Sequence, residues 1–529
     1  MNKLAFFWSK YKYYILINVA FLYAVYALMI GLNLSNSNDG VWNIYFFEAN
    51  LREISLGRFL LPVLDRLRFG IVNTAFNSIL FFLSLSLAYA ILCEALDIQS
   101  RTSKYLLGFV FSASPVVCDT LSYQYTTVSY GIGMLFSAIS AYIIVKGLPR
   151  LTPAFSKKAV FAYLTSGCFI ALSMSCYQAY IGIIFLTVHM CFLKQIRLLL
   201  QRPEYKSDLK KALYIPASFV FSLIFGMIIY MLFYAINRRI WNISIASYLG
   251  ADEISPLNIA LNLPLSIVSC YKAFLDYTLC YSYFYYGVFC LILFIITVLY
   301  ISVVLCAAFK KNNHSFSPIL FLIYAVFILL LPVSSAIILV IAPSAELTIL
   351  MAGGVFIFPA VLSSLVIDLS LNLSRRRILK FLPVAAAFLV LWSNAAIISN
   401  DQLSMMQGEE TVCTMENMMV AMAIDKGYNI CEIPVFITGS PSDSPMFFKS
   451  DAFQKANPYA RFGEFWGGNS AARSWGGVAR KKLGLELNLI TDEDILSANE
   501  YKNMPLFPKE GSMRIINDIL VIKVAEVNP

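Results

Sequence analysis

Before residue 400, the few charged side chains of this 529-residue sequence gather between long apolar runs. One group is Asp39, Glu48, Arg52, Glu53, Arg58 and Asp65. Asp119 follows alone, then Arg238, Arg239, Asp252, Glu253 and Asp276, and finally Glu346. Two polar-aromatic turns accompany them, Asp119 with Tyr123, Gln124 and Tyr125, and Tyr177 with Gln178. Aromatic faces and amides suit a sugar ring, which offers apolar faces and hydroxyl edges. A belt of interfacial aromatics explains the tyrosines equally, but it explains Asp119 and the glutamines less well. His189 and His314 are the only histidines, too few for a His-based metal site or a Ser-His triad. The acidic loops offer oxygen ligands to Mg²⁺ without any recognisable ligand spacing, so no cofactor is assigned.

The elements that position these groups follow from composition. Hydrophobic residues make up 59% of the chain and charged residues 13%, against about a quarter charged in soluble proteins. An ordinary globular enzyme is excluded. Eleven apolar stretches stand out, at 13–33, 71–92, 105–117, 127–145, 159–176, 179–193, 212–236, 284–308, 317–341, 348–367 and 381–399. A crossing needs about 20 residues, so the short ones (105–117, 159–176 and 179–193) are expected to be tilted or broken. No Asp, Glu, Lys or Arg falls in the core of any stretch, which weighs against ion-coupled transport. With the N-terminus inside, 21 of the 28 Lys and Arg before residue 400 fall on the cytoplasmic side, as the positive-inside rule requires. The first stretch is too long for a signal-peptide core and lacks a small-residue cleavage site, so it reads as an uncleaved anchor. Eleven crossings then place residues 400–529 outside.

Two outer segments are long. In 34–70, "GRFLLPVLDRLRFG" mixes Arg with apolar residues at helical intervals, which fits a helix on the membrane surface and equally a plain amphipathic connector. Segment 237–283 is rich in Tyr and Phe. Residues 400–529 carry 12 Lys+Arg against 17 Asp+Glu, so the net charge of +9 belongs to the apolar part and says nothing about nucleic acid. This C-terminal portion predicts a small α/β domain: a helix at 402–427, a strand in "EIPVFITGS", a helix in "NSAARSWGGVARKKLG", a capped helix in "TDEDILSANE" and one or two strands in "MRIINDILVIKV". Cys413 and Cys431, its only cysteine pair, lie in an expected oxidising compartment where a bridge can form.

Several short segments match a known pattern. They are Asp39 after the first stretch, Gly57-Arg58 in "GRFLLP", "SPVVCDTLSYQYTTVSYGIGM" and "ALSMSCYQAYIG". In these the chain resembles the type-II glucosyltransferases, polytopic bacterial enzymes that decorate O-antigen and convert serotype. The resemblance covers the membrane region, residues 1–399. It implies a C-type glycosyltransferase fold, a polyprenyl-phosphate sugar donor, transfer with inversion and an essential carboxylate in the first outer loop. One departure stands out: Asp39 is flanked by Asn38 and Gly40, where a second acidic residue is expected.

Under that resemblance Asp39 is the first candidate base, since a carboxylate can take the proton of an attacking hydroxyl. Asp is also a good helix N-cap, and the two roles are compatible. Glu48 is the second candidate, with a solvated or interfacial side chain as the alternative; nine residues on, it sits half a turn out of phase with Asp39 if the stretch is helical. Arg58 is the first choice for the donor phosphate, with snorkelling from a surface helix as the alternative. Arg238 and Arg239 are second choices, with interfacial anchoring as theirs. The expected activity is glucosyl transfer to O-antigen of lipopolysaccharide at the periplasmic face of the bacterial inner membrane. The expected partners are a polyprenyl-phosphate glucose donor, the polysaccharide acceptor and membrane lipid, with a donor synthase and a flippase as companions. An O-antigen ligase or polymerase shares these features. A flippase or carrier of lipid-linked sugar is the reading from another class.

Overall fold

A computed structural model describes residues 3–148, 156–201, 206–246, 255–279, 285–311, 317–373, 377–446 and 471–527. Among them nine helices are long and apolar enough to cross a membrane. A tenth candidate is the pair Arg101–Ser112 and Pro115–Ser122, bent by 49° at the break; Pro115 has no N–H to continue the first helix. The protein is a polytopic helical membrane protein.

The expectation of eleven crossings is altered at three places. The first stretch is helix Lys3–Val25, followed across Tyr26 by Ala27–Gly31. It is not among the nine, because Lys10, Lys12 and three neighbouring tyrosines dilute its hydropathy. Stretch 317–341 is broken into Pro318–Leu329, Leu331–Ser335 and Ile338–Ile341, with Pro332 at the first break. Segment 237–283, expected as an outer connection, contains helix Pro256–Thr278, capped by the Ser255 hydroxyl on Asn258 N at 3.1 Å. Pro264, Lys272 and Asp276 hide its apolar character in the sequence.

Short side chains let the helices approach closely, as they do in membrane bundles. Helices Lys157–Cys176 and Lys206–Trp241 meet at Gly167 and Gly226, where a Cβ on Gly167 would lie 2.9 Å from the Gly226 amide. Beside them the Ser166 hydroxyl donates to Ser222 at 2.6 Å. Helix Thr74–Ala95 packs on Thr127–Tyr142 through Phe81 and Gly131.

The longest helix, Arg377–Asp425, has 49 residues and spans about 73 Å at 1.5 Å per residue. The boundary drawn at residue 400 therefore falls inside one continuous helix. Val390 and Ile397 belong to the bundle core, whereas Val412, Met415 and Met419 belong to a second core with Trp475 and the C-terminal strands. Gln402 binds the kink of the first helix: its amide donates to Val25 O, and its carbonyl accepts from Met29 N, both at 2.9 Å.

The C-terminal part carries a three-stranded sheet with Ile519–Lys523 at its centre, parallel to Val435–Thr438 and antiparallel to Met513–Ile516. Its hairpin turns at Asn517 and Asp518, both at positive φ, the conformation of a two-residue hairpin loop. Helices Ala471–Val478 and Glu493–Ser497 lie where the sequence pattern places them, the second capped by Asp492. Part of the "NSAARSWGGVARKKLG" segment falls outside the described residues. Cys413 and Cys431 are both free thiols here.

Candidate active site

The loop of residues 34–70 is organised by Asn36. Its Oδ1 accepts from the amides of Asn38 (3.2 Å) and Gly40 (2.9 Å), and its Nδ2 donates to Ser122 O at 3.3 Å. A Cβ on Gly40 would come within 2.7 Å of Ser122 O, so only glycine lets the two loops touch. Short helix Asp39–Trp42 follows; the side chain of Asn38, just before it, makes no capping bond, and Asn36 serves its first amides instead. Asp39 is its first residue, and its Oδ1 accepts from Arg473 Nη1 at 2.7 Å. The carboxylate faces an arginine rather than the amides of its own helix.

After Trp42 the stretch is not helical. Tyr45–Phe46 pair antiparallel with Ile71–Val72, and Glu48 stands exposed outside any helix or strand and outside the cleft. The phase argument that set Glu48 against Asp39 loses its premise, and the carboxylate that joins Asp39 in the cleft from this loop is Glu53.

Arg58 is delivered by a turn. Helix Leu51–Ser55 is capped by Asn50, which accepts from Arg52 N at 2.9 Å, and then Gly57 takes φ +81°. The Tyr230 hydroxyl donates to Gly57 O at 3.2 Å, and a Cβ on Gly57 would clash with that hydroxyl. The left-handed turn, readily adopted only by glycine, sends Arg58 inward. Its Nη1 donates to Glu53 Oε2 at 3.1 Å, its guanidinium lies 4.9 Å from the centre of the Tyr177 ring, and its buried Nε has no partner. Arg58 does not snorkel.

Within the expected surface segment, residues Leu61–Leu67 form a helix. Val63, Leu67 and Phe69 point outward, while Asp65 and Arg68 are buried against each other at 3.0 Å. Asp65 also accepts from Ala49 N at 2.9 Å, and Arg68 donates to the carbonyls of Phe47, Ile71 and Tyr125. This pair braces two residues of the cleft, Phe47 and Tyr125, from behind. Burial raises the Asp65 pKa to about 6, against the opposing pull of Arg68 and the Ala49 amide.

These segments enclose a cleft of about 310 Å³. Asp39, Arg58, Asp119, Tyr123 and Tyr177 all line it, drawn from three separate connections. Asp119 is buried in its wall, facing the Leu350 amide. Tyr130 and Tyr177, with ring centroids 5.0 Å apart, give it an aromatic side. The other expected residues lie elsewhere. Gln124 is buried behind the cleft and donates to Leu34 O at 3.2 Å. Arg238 donates to Ile243 O and lies over Tyr234, and Arg239 is exposed, as interfacial anchors would be. Gln178 lines a neighbouring apolar groove of about 170 Å³, where it donates to Leu56 O and Tyr230 Oη. Leu56, Arg58 and Tyr177 line both cavities, so the groove opens beside the cleft at Arg58.

The cleft also contains Glu53, Arg52, Tyr130 and Arg473, which the sequence reading did not select. Glu53 had a signal, since it lies five residues before Arg58. Arg473 had none. It is held by a segment built onto the 34–70 loop. The Ser474 hydroxyl donates to Ser37 O, Arg480 donates to Trp42 O at 3.0 Å over the Trp42 ring, and a Cβ on Gly477 would lie 2.7 Å from Val41. Lys481 reaches Glu409 at 2.6 Å and Asn33 O at 2.5 Å, and burial pushes its amine pKa down. Among the described residues no three His, Cys, Asp or Glu side chains gather closely enough to hold a metal ion.

The family model of glucosyl transferase GtrII matches residues 28–359, more than half of the chain. The chain belongs to this family. No curated protein and no solved structure matches it. Within the GtrII match lie all the cleft residues from Asp39 to Leu350; Arg473 lies beyond it. As a GtrII glucosyltransferase the protein is a glycosyltransferase of the membrane.

Proposed function

We propose that the protein moves glucose from polyprenyl-phosphate glucose to O-antigen of lipopolysaccharide, at the periplasmic face of the bacterial inner membrane and with inversion. The observation that carries this reading is the junction at Arg58, where a polar cleft adjoins an apolar groove. A lipid-linked donor has the same division, an isoprenoid tail for the groove and a phosphosugar for the cleft. In this reading Arg58 holds the phosphate with its unused donors, and Tyr123, Tyr130 and Tyr177 flank the sugar. Arg473 occupies Oδ1 of Asp39, and Oδ2 meets the acceptor hydroxyl. That hydroxyl gives its proton to Asp39 as its oxygen bonds to the anomeric carbon. The bond from that carbon to the phosphate oxygen breaks, and polyprenyl phosphate leaves with its charge held by Arg58. A donor synthase and a flippase supply the substrate at this face.

The test is incubation of membranes containing the protein with polyprenyl-phosphate glucose and O-antigen acceptor. The expected result is one free polyprenyl phosphate per glucose transferred, in a linkage of inverted configuration. A carrier would release no free polyprenyl phosphate, and a ligase or polymerase would transfer whole oligosaccharides. Either outcome replaces this reading.

A further inference from the structure

A second large cavity, of about 330 Å³, lies at the end of the bundle away from the cleft. Helix Ile181–Leu200 relates the two. It begins beside Tyr177 in the cleft wall and lines the second cavity with Met190, Lys194 and Arg197. At 1.5 Å per residue those positions lie about 14–24 Å along the axis from the helix start, the furthest of them most of the way across a hydrocarbon core of about 30 Å. The walls are otherwise apolar, from Phe294, Ile328, Phe358 and Leu362, and the charges sit at one end.

Its lining holds two carboxylates, Asp97 and Asp368, and two cations, Lys194 and Arg197, and Lys146 beside Asp97 makes a third cation at this end. Asp368 accepts from the amides of Gln99 (2.8 Å) and Ser100 (3.0 Å) and from the Ser103 hydroxyl (2.7 Å). Lys194 donates to the carbonyls of Leu96 and Asp97 at 2.8 and 2.9 Å. The Asp97 carboxylate takes the Gln99 amide at 2.8 Å, with Lys146 at 3.8 Å and Lys194 at 4.0 Å. Arg197 alone has no acceptor among the described residues. Its neighbour Tyr324 is 5% exposed, and its hydroxyl makes no bond either. A guanidinium and a phenol that both lack acceptors, at the mouth of an apolar cavity, form a donor pair for an anion carrying a hydrocarbon chain.

We propose that this cavity binds an anionic glycerophospholipid from the leaflet opposite the cleft, with its phosphate on Arg197 and Tyr324 and an acyl chain along Phe358 and Leu362. Charge complementarity selects this occupant. Asp97 lies between Lys146 and Lys194, Asp368 is held by three N–H and O–H donors, and Arg197 is the cation left for a phosphate. A zwitterionic lipid would bring a further cation with no carboxylate left to meet it. The site is separate from the proposed donor site, so it stands or falls independently of glucosyl transfer.

The experiment uses the full-length protein, delipidated in detergent. Its melting temperature is followed on titration with phosphatidylglycerol, phosphatidylcholine of the same chains, and sn-glycerol phosphate. Phosphatidylglycerol retained on the purified protein is counted by native mass spectrometry. Phosphatidylglycerol should stabilise the protein, with phosphatidylcholine and glycerol phosphate far weaker. Arg197→Gln should weaken its apparent affinity about tenfold, the scale of one lost charge-assisted bond. Leu362→Trp, which fills the cavity and keeps the charge, should also abolish the selective shift, while exposed Lys158→Gln should leave it intact. Equal stabilisation by both lipids, full response in Arg197→Gln, or an equal response to glycerol phosphate would each overturn the proposal.

Discussion

Asp39 is the residue on which the proposed chemistry turns, and its surroundings give it a clean test. The amides at the start of its helix are served by Asn36, so capping gives Asp39 no separate reason to be acidic. If it is the base, Asp39→Asn should lower transfer by about 10²–10⁴-fold with donor binding retained. Glu48→Gln should be near wild type, because Glu48 is exposed outside the cleft. Near-normal turnover by folded Asp39→Asn protein would falsify the assignment, and the remaining cleft carboxylates, Glu53 and Asp119, would take its place. Arg58 has a different signature. Arg58→Lys keeps the charge but loses the planar fork and its stacking on Tyr177. The donor KM should rise roughly tenfold or more, with a smaller change for the acceptor; equal effects on both substrates would remove Arg58 from the phosphate.

Among the elements, the turns of the 34–70 loop at Gly40 and Gly57 explain why its charges point inward. Gly57→Ala imposes a strained φ and drives a methyl into the Tyr230 hydroxyl. The left-handed conformation alone costs about 1–2 kcal/mol, so the variant should melt lower and lose transfer even though no reacting group has changed. The Asp65–Arg68 brace predicts a pH dependence. The folded pKa of Asp65 is raised to about 6 from a usual 3.8, so the folded state binds this proton more tightly than the unfolded state. The associated stability is fully present below about pH 3.8 and is lost as pH rises to about 6. Melting curves of wild type and Asp65→Asn should show the difference between them moving against wild type across that window, then levelling. A constant difference from pH 4 to 7 would contradict the assignment.

For the whole molecule, the cleft is closed only when the far end of the chain docks on its beginning. Residues 426–529 can be removed without cutting the Gln402 contacts, and the shortened protein should remain inserted but lose transfer. Retained activity would show that Arg473 and its segment are dispensable. Orientation is tested by reporters: a fusion after Lys310 should read cytoplasmic and one after Pro529 external. This expectation rests on the Lys/Arg asymmetry and on the cleft and the Arg197 cavity lying at opposite ends of the same helices. The same compartment for both reporters would reject it.

The sequence by itself determined the membrane class, because scarce charge and long apolar runs are local properties that no tertiary arrangement reverses. It also determined many helix starts, since Asn73, Ser100, Ser156 and Ser317 cap helices through bonds to residues only three positions on. It singled out Asp39, Arg58, Asp119, Tyr123 and Tyr177, which the structure gathers in one cleft. Which neighbour faces that cleft was not legible. Tyr123 lines it and Gln124 does not, Tyr177 lines it and Gln178 faces the groove, because a turn of one residue's rotation separates the two directions. Helix Pro256–Thr278 was hidden by Pro264 and two charges, and the unbroken stretch 317–341 concealed its breaks. Arg473 was beyond reach altogether. It meets Asp39 across 434 positions of sequence, and a contact of that span is fixed by the packing of whole elements, which leaves no trace in local composition or periodicity.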